Sequence, residues 1–285
     1  MSVERFIRFE DEKGTILYGE PTASDLNGDL EGKSVPVLRG DPFAGLSKAG
    51  HTAVVTKLTL KLLCPLDSTP IVIGIGLNYA HHAKESNLSV PSYPVVFTKP
   101  PDALAGPYDT ISIHPSAQSQ LDYEGELTVI IGRDAKNVSE AEALNYVLGY
   151  TAGNDVSARN FQLPASVSGN QFSYAKSFDK FAPVGPSVLL QKEGVDPHKL
   201  NYVTKVNGEK RQGTGTDDMI WSVSKIIEHL SRGTTLRRGT VIMTGTPSGV
   251  GLFMEPKGFL GDGDVVEVVV EGVGGLKNRV VFEKA

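Results

Sequence analysis

The sequence predicts a β-rich α+β fold, and three features carry that prediction. The 285 residues include 31 glycines and 17 prolines, which cut the chain into short segments. Its apolar runs are brief and rich in β-branched residues, as in Ile71–Leu77 and Asp264–Val270. Clear helix signals are confined to a few stretches.

Taken in order, Ile7 and Phe9, then Ile16 and Tyr18, alternate with polar neighbours around Lys13-Gly14, the pattern of a hairpin. The turn-rich stretch that follows holds no long periodic run. Residues 1–65 therefore read as a small β-rich N-terminal domain, or as an extension wrapped onto the main domain, which spans 66–285. In the main domain Ile71–Leu77 and Pro94–Thr98 read as buried strands, and Asp122–Ile131 alternates. Ser139–Val147 has a helix start, with Ser139 as N-cap and Glu142 at capping-box spacing. In Thr216–Arg232, Ile220, Val223, Ile227 and Leu230 share one helical face, and Gly233 follows as a stop. Thr240–Thr244 and Asp264–Val270 read as strands, the second pairing with Asn278–Glu283 across Gly272–Gly275.

Composition removes several functions. The net charge is −5, and basic runs do not exceed the pairs Lys210–Arg211 and Arg237–Arg238, so a nucleic-acid partner is not expected. A single cysteine, Cys64, makes neither an intramolecular disulfide nor a zinc finger. The longest apolar stretch, at 71–77, is far short of the roughly 20 residues of a membrane helix. The first twenty residues carry charge throughout, unlike a secretory signal. A cytoplasmic chain with no membrane partner is expected, with the mitochondrion as the other open compartment.

The chemistry concentrates around residue 124. In a strand, alternate side chains share a face, so Leu121, Tyr123, Leu127, Val129 and Ile131 face a core while Asp122, Glu124 and Glu126 come out together. Carboxylates two apart lie about 7 Å from one another along a strand. No Lys or Arg lies within the segment to offset their repulsion, and Gly125 between the glutamates predicts a close approach to the backbone. A hard divalent cation, Mg²⁺, Mn²⁺ or Ca²⁺, would resolve the repulsion; a solvated acidic edge strand has the same pattern. Asp155, following Gly153-Asn154 at the end of an apolar stretch, is placed to be a third ligand. Three protein oxygens leave positions of an octahedral ion open for substrate. Arg159 and Gln162, three apart, could share a helical turn and grip a substrate carboxylate, or form a surface pair.

His82 and Glu85 stand three apart in a helix-like segment, where a carboxylate can fix the imidazole tautomer and build a general base; a surface helix with Lys84 and Glu85 solvated has the same pattern. His81 is read as structural. Lys176 is a cation that could stabilise an enolate, or an ordinary surface lysine. Other motifs fail: Gly74-Ile-Gly76 lacks the third glycine of a dinucleotide loop, and Ser173-Tyr-Ala-Lys176 lacks the companion motifs of serine acyl enzymes.

In chain order these segments resemble the fumarylacetoacetate hydrolase family across 66–285. The resemblance rests on Gly76-Leu-Asn-Tyr79 with His82 and Glu85, Asp122-Tyr-Glu124-Gly-Glu126-Leu, Gly153-Asn-Asp155-Val-Ser-Ala-Arg159, Lys176-Ser-Phe-Asp, Val206-Asn-Gly-Glu209, and Thr244-Gly-Thr246-Pro-Ser-Gly249. It implies a mixed β-roll or sandwich, usually a homodimer, here with the N-terminal region of two-part members. It further implies Glu124, Glu126 and Asp155 as ligands of Mg²⁺ or Mn²⁺, with Ca²⁺ possible. His82 and Glu85 match the catalytic dyad, and Lys176 the charge-stabilising lysine. Arg159, Gln162 and Thr246 fall at substrate-binding positions. The implied substrates are small 2-keto or 2,4-diketo acids that react through a metal-stabilised enolate. Hydrolytic C–C cleavage of the acylpyruvate type is the preferred expectation, with oxaloacetate tautomerase or decarboxylase nearly level. A non-catalytic, metal-stabilised binding domain is the rival from another class.

Overall fold

The computed structural model describes residues 2–27, 30, 32–55, 62–87 and 89–284. Strands dominate it, arranged in mixed sheets. The largest sheet runs, in spatial order, through Gly45–Val54, Ser34–Asp41, Ile16–Gly19, Arg5–Glu10, Ala182–Leu190, Val147–Asn154, Gly125–Ile131, Val241–Met243, Val72–Gly76 and Val95–Lys99. Most neighbours are antiparallel, but Val241–Met243 pairs parallel with Val72–Gly76. A second sheet orders Glu209–Gly215, Asn201–Val206, Val265–Val270, Gly274–Phe282 and Ile111–Ile113. The main core, including Ile75, Tyr79, Leu127, Val129, Tyr150, Val268 and Leu276, draws on both sheets.

The N-terminal hairpin forms as its alternation predicts, with Phe9 opposite Leu17 and Arg8 opposite Tyr18. Gly14 turns it with φ +78°. Its first strand also pairs antiparallel with Ala182–Leu190, through Arg5–Leu189 and Phe6–Val188. Phe6 packs there with Val184, Val188, Val241 and Met243.

Two helix expectations need correction. Glu140–Tyr146 is 3₁₀, not α-helical. The Ser139 hydroxyl bonds the Glu142 carboxylate at 2.7 Å rather than a backbone amide, while the Glu142 amide donates to the Ser139 carbonyl three residues back. That i→i+3 bond is the 3₁₀ pattern. The expected helix over Thr216–Arg232 splits into a 3₁₀ turn, Thr216–Asp218, and an α-helix, Val223–Ser231. The Thr216 amide is taken by the Leu200 carbonyl, and Ser222 caps the later helix by accepting the Lys225 amide at 3.1 Å. Val223, Ile226 and Ile227 are its buried face. Among the described residues no helix is long and apolar enough to cross a membrane.

Candidate active site

The site begins with strand register. Gly125–Ile131 pairs antiparallel with Val147–Asn154, Gly125 opposite Asn154 and Glu126 opposite Gly153. The start of one strand thus meets the end of the other, and the Asp155 amide donates to the Glu124 carbonyl at 2.8 Å. Glu124, Glu126 and Asp155 are all buried, with one carboxylate oxygen from each lying within 4.8 Å of the others. Gly125 is needed for closeness, since a Cβ there would run into the Thr204 hydroxyl of the second sheet.

Asp122 does not join them, contrary to the expected shared face. Pairing breaks after Leu121–Asp122, which bonds to Ser157–Ala158. The Asp122 carboxylate turns to the backbone amides of Tyr123, Gly251 and Leu252 at 2.8–3.0 Å and to Arg159 Nε at 2.9 Å. The acidic face is not solvated either, because every residue of Gly125–Ile131 is buried.

Cations missing from the strand arrive from elsewhere. Lys176 Nζ lies 2.7 Å from Glu124 and 2.6 Å from Asp155. Lys99, closing the Val95–Lys99 strand, reaches Asp155 at 2.5 Å and the Phe181 carbonyl at 2.5 Å. Arg159 bonds Asp122 at 2.9 Å and Glu124 at 2.5 Å, and donates through Nη1 to Gln162 at 2.7 Å within the short Arg159–Gln162 helix. With Asp122 included, four buried carboxylates face three buried cations among the described residues.

The imbalance falls on Glu126. Burial, and then the charges of Asp155 and Glu124, push its carboxyl well above the usual range. Burial acts the same way on Glu124, but Lys176 and Arg159 outweigh it and hold that carboxyl well below the usual range. Lys176 keeps its proton firmly, because Asp155 and Glu124 overcome the burial that opposes its charge. A buried all-oxygen set short of one positive charge fits a hard divalent cation, with Glu124, Glu126 and Asp155 as the donors.

The dyad is assembled beside this cluster. His82 and Glu85 lie on the helix Ala80–Ser86, with Nδ1 and Oε2 3.0 Å apart, and the His82 ring rests 5.7 Å from that of Phe253. A loop following the Val241–Met243 strand touches both parts. The Gly245 amide donates to Glu126 at 2.6 Å, and the Gly249 amide donates to Glu85 at 3.1 Å. Between them Thr246 Oγ1 donates to the Gly125 carbonyl at 3.0 Å and receives Gln212 Nε2 at 2.8 Å. Gln212 also accepts the Gly125 amide at 3.0 Å.

All nine residues expected in the site, His82, Glu85, Glu124, Glu126, Asp155, Arg159, Gln162, Lys176 and Thr246, are thus tied into one connected network. The sequence reading missed Lys99 and Gln212. A lysine ending the apolar run Val95-Val-Phe-Thr-Lys99 is a signal for the first; the second has none.

The family description "Fumarylacetoacetate (FAA) hydrolase C-terminal" matches residues 71–281. The chain belongs to the fumarylacetoacetate hydrolase family. Among relatives in this family, the mitochondrial oxaloacetate tautomerase FAHD2A of Bos taurus is 38% identical over 82% of this chain and 73% of its own. The oxaloacetate tautomerase YisK of Bacillus subtilis is 43% identical, covering 73% of this chain and 69% of its own. In structure, the 2-hydroxyhepta-2,4-diene-1,7-dioate isomerase of Mycobacterium marinum superposes with a TM-score of 0.81 at 34% identity, over 99% of this chain and all of that one. The mixed, strand-rich architecture is that of the family, and the chain is one of its enzymes, acting on small molecules.

Proposed function

We propose that this enzyme interconverts the keto and enol forms of a small 2-keto diacid of the oxaloacetate type. The observation that carries the reading is the His82–Glu85 pair, held by Gly249 on the loop that also touches the carboxylate cluster through Gly245. The tautomerase names of FAHD2A and YisK support it, as does the isomerase name of the M. marinum neighbour.

In this reading Glu124, Glu126 and Asp155 hold Mg²⁺ or Mn²⁺, or Ca²⁺ in their place. When bound, the ion supplies Lewis-acid polarisation of the 2-keto group and the positive charge the cluster lacks. The protein's own residues do the rest. Glu85 accepts Nδ1–H of His82, which fixes the tautomer and leaves Nε2 as the base. Nε2 takes a proton from the carbon beside the carbonyl, the C–H electron pair becomes the C=C bond, and the carbonyl pair moves to oxygen. Return of the proton to that oxygen completes the enol, and the reverse sequence restores the ketone. Lys176 places a fixed positive charge beside the cluster, where the oxygen gains negative charge. Arg159, Gln162 and Thr246 orient the substrate carboxylate and keto oxygens. A homodimer, in the cytoplasm or the mitochondrion, completes the proposal.

Hydrolytic C–C cleavage of an acylpyruvate is the second reading, because the same histidine–carboxylate pair can activate water. The deciding experiment follows three signals on protein loaded with Mn²⁺: ultraviolet decay of enol-oxaloacetate, pyruvate release, and ultraviolet loss of an acylpyruvate. Enol decay that vanishes in Glu124→Ala supports the tautomerase. Acylpyruvate loss without enol decay replaces it with the hydrolase, and pyruvate release from oxaloacetate with a decarboxylase.

A further inference from the structure

The helix that carries the dyad is short, and its own sequence caps its C-terminus, through Asn87 at φ +54°, but not its first turn. Ala80–Ser86 is seven residues, and its N-cap residue, Tyr79, makes no side-chain capping bond. Isolated helices of this length do not hold their shape, so something else must fix it. Just before it, Leu77 adopts φ +55°, a left-handed conformation that a branched side chain rarely takes and that surroundings must enforce.

The enforcement comes from residues 218–221. Asn78 is fully buried and uses every hydrogen-bonding group of its side chain. Its Nδ2 donates to the Trp221 carbonyl at 3.2 Å and the Thr244 carbonyl at 2.7 Å, and its Oδ1 accepts the Trp221 amide at 2.7 Å. Its own carbonyl accepts the Ile220 amide at 2.7 Å, and Tyr79 forms a β-bridge with Met219. One residue further, the Asp218 carboxylate reaches the helix itself. Oδ2 accepts the His81 amide at 3.2 Å, and Oδ1 lies 2.7 Å from His81 Nδ1. Asp218 is largely buried while the His81 ring is mostly exposed, so the carboxylate is the fixed partner and the helix is the part being held. The capping bond a Ser or Asp at position 79 would make is supplied from 137 residues away.

We propose that Asp218 is a positioning residue: by capping the dyad helix and gripping His81, it sets the orientation in which His82 meets the substrate. The inference rests on the proposed role of the His82–Glu85 dyad. His81 can donate through Nδ1–H whether or not the ring is charged, so the grip does not depend on an ion pair. Asp218 touches no other member of the site among its described bonds, and its effect must pass through His82.

The test is steady-state enol-oxaloacetate decay by the full chain loaded with Mn²⁺, comparing Asp218→Ala, Asp218→Asn, His82→Ala and the double variant Asp218→Ala/His82→Ala. Asp218→Ala is expected to lower kcat roughly ten-fold with KM within about two-fold. Asp218→Asn, which keeps an oxygen for the His81 amide, should recover most of the loss. In the His82→Ala background, removal of Asp218 should cost nothing further. Amide exchange at Ala83–Ser86 should be faster in Asp218→Ala and unchanged in the sheets, a readout that needs no substrate. A wild-type kcat in Asp218→Ala, or an equal loss with and without His82, overturns the inference. A wild-type rate in His82→Ala overturns the dyad reading itself, which separates the two failures.

Discussion

The ammonium of Lys99 sits 2.5 Å from the carboxylate of Asp155, and neither side chain is exposed. Lys99 is held to the protein on three sides, since it also donates to the Val156 and Phe181 carbonyls. Burial weakens its hold on the proton, and the neighbouring Lys176 charge adds to that, so the hold is loosened even though Asp155 opposes it. It is therefore a costly residue to place there, and what it does is fix Asp155 and limit the negative charge of the cluster. Lys99→Met should destabilise the cation-free protein by roughly 1–3 kcal/mol, because buried Asp155 loses one of its two cationic partners and keeps only Lys176. The gain in melting temperature on adding Mn²⁺ should then exceed that of the wild type. Thermal unfolding with EDTA and with Mn²⁺ reads both effects, and equal gains would mean that the Lys99 charge does not bear on the cluster.

Glu126 gives the cation-free protein a definite pH dependence. Its carboxyl is raised in the folded state, so its contribution is fully present below the unfolded carboxyl value, 4.5, and is lost as pH rises through the raised value. Glu124, held low, acts in the opposite sense: its contribution is present above 4.5 and lost only as the solution becomes strongly acid. As pH rises above the ordinary carboxyl range, Glu126 should lower the melting temperature in EDTA, and by more than the partly exposed His229, held low, raises it. Mn²⁺ binding should release a proton in weakly buffered solution, since the donor must be ionised. A melting temperature in EDTA that climbs with pH would contradict the assignment.

Glu85 does two jobs that a conservative change separates. Glu85→Gln keeps an oxygen for the Gly249 amide but loses the charge that faces His82. We expect the fold to be intact and kcat for enol-oxaloacetate decay to fall by roughly 10- to 100-fold. Unchanged turnover would remove Glu85 from the proton-transfer unit and leave it a loop anchor.

Gly125→Ala tests the join between the two sheets. The added methyl would meet the Thr204 hydroxyl, which is buried and has no hydrogen-bond partner among the described residues. The cost should be about 1–3 kcal/mol, and Thr204→Ala in the same chain should recover part of it. Chemical denaturation of the single and double variants measures this. Full additivity would show that the strain lies elsewhere.

Much of this molecule is written in local patterns. The hairpin around Gly14 is legible because its alternation and its turn residue agree. The carboxylate triple is legible because two of its members lie two apart and the third ends the neighbouring strand. What could not be read is the partner each group would find. Lys99, Lys176 and Arg159 are ordinary charged residues in sequence, and only long-range pairing shows them converging on Glu124 and Asp155. Asp122 matched the period of the glutamates, yet the local ladder breaks beyond it and turns it to the Gly251 and Leu252 amides. The helix expected from Thr216 was interrupted for a similar reason: Asn78, more than a hundred residues away, takes the Ile220 and Trp221 amides.

The pairing of Arg5–Glu10 with Ala182–Leu190 has a practical side. A shortened chain beginning at residue 66 would keep every residue of the proposed site, yet it would bare the backbone of Val188 and Leu189 and the apolar surface that Phe6 covers. An uncovered, hydrophobic strand margin is an invitation to self-association. The first strand therefore works as a guard rail for the catalytic part, and a trimmed protein should be sought in inclusion bodies before it is sought in an assay.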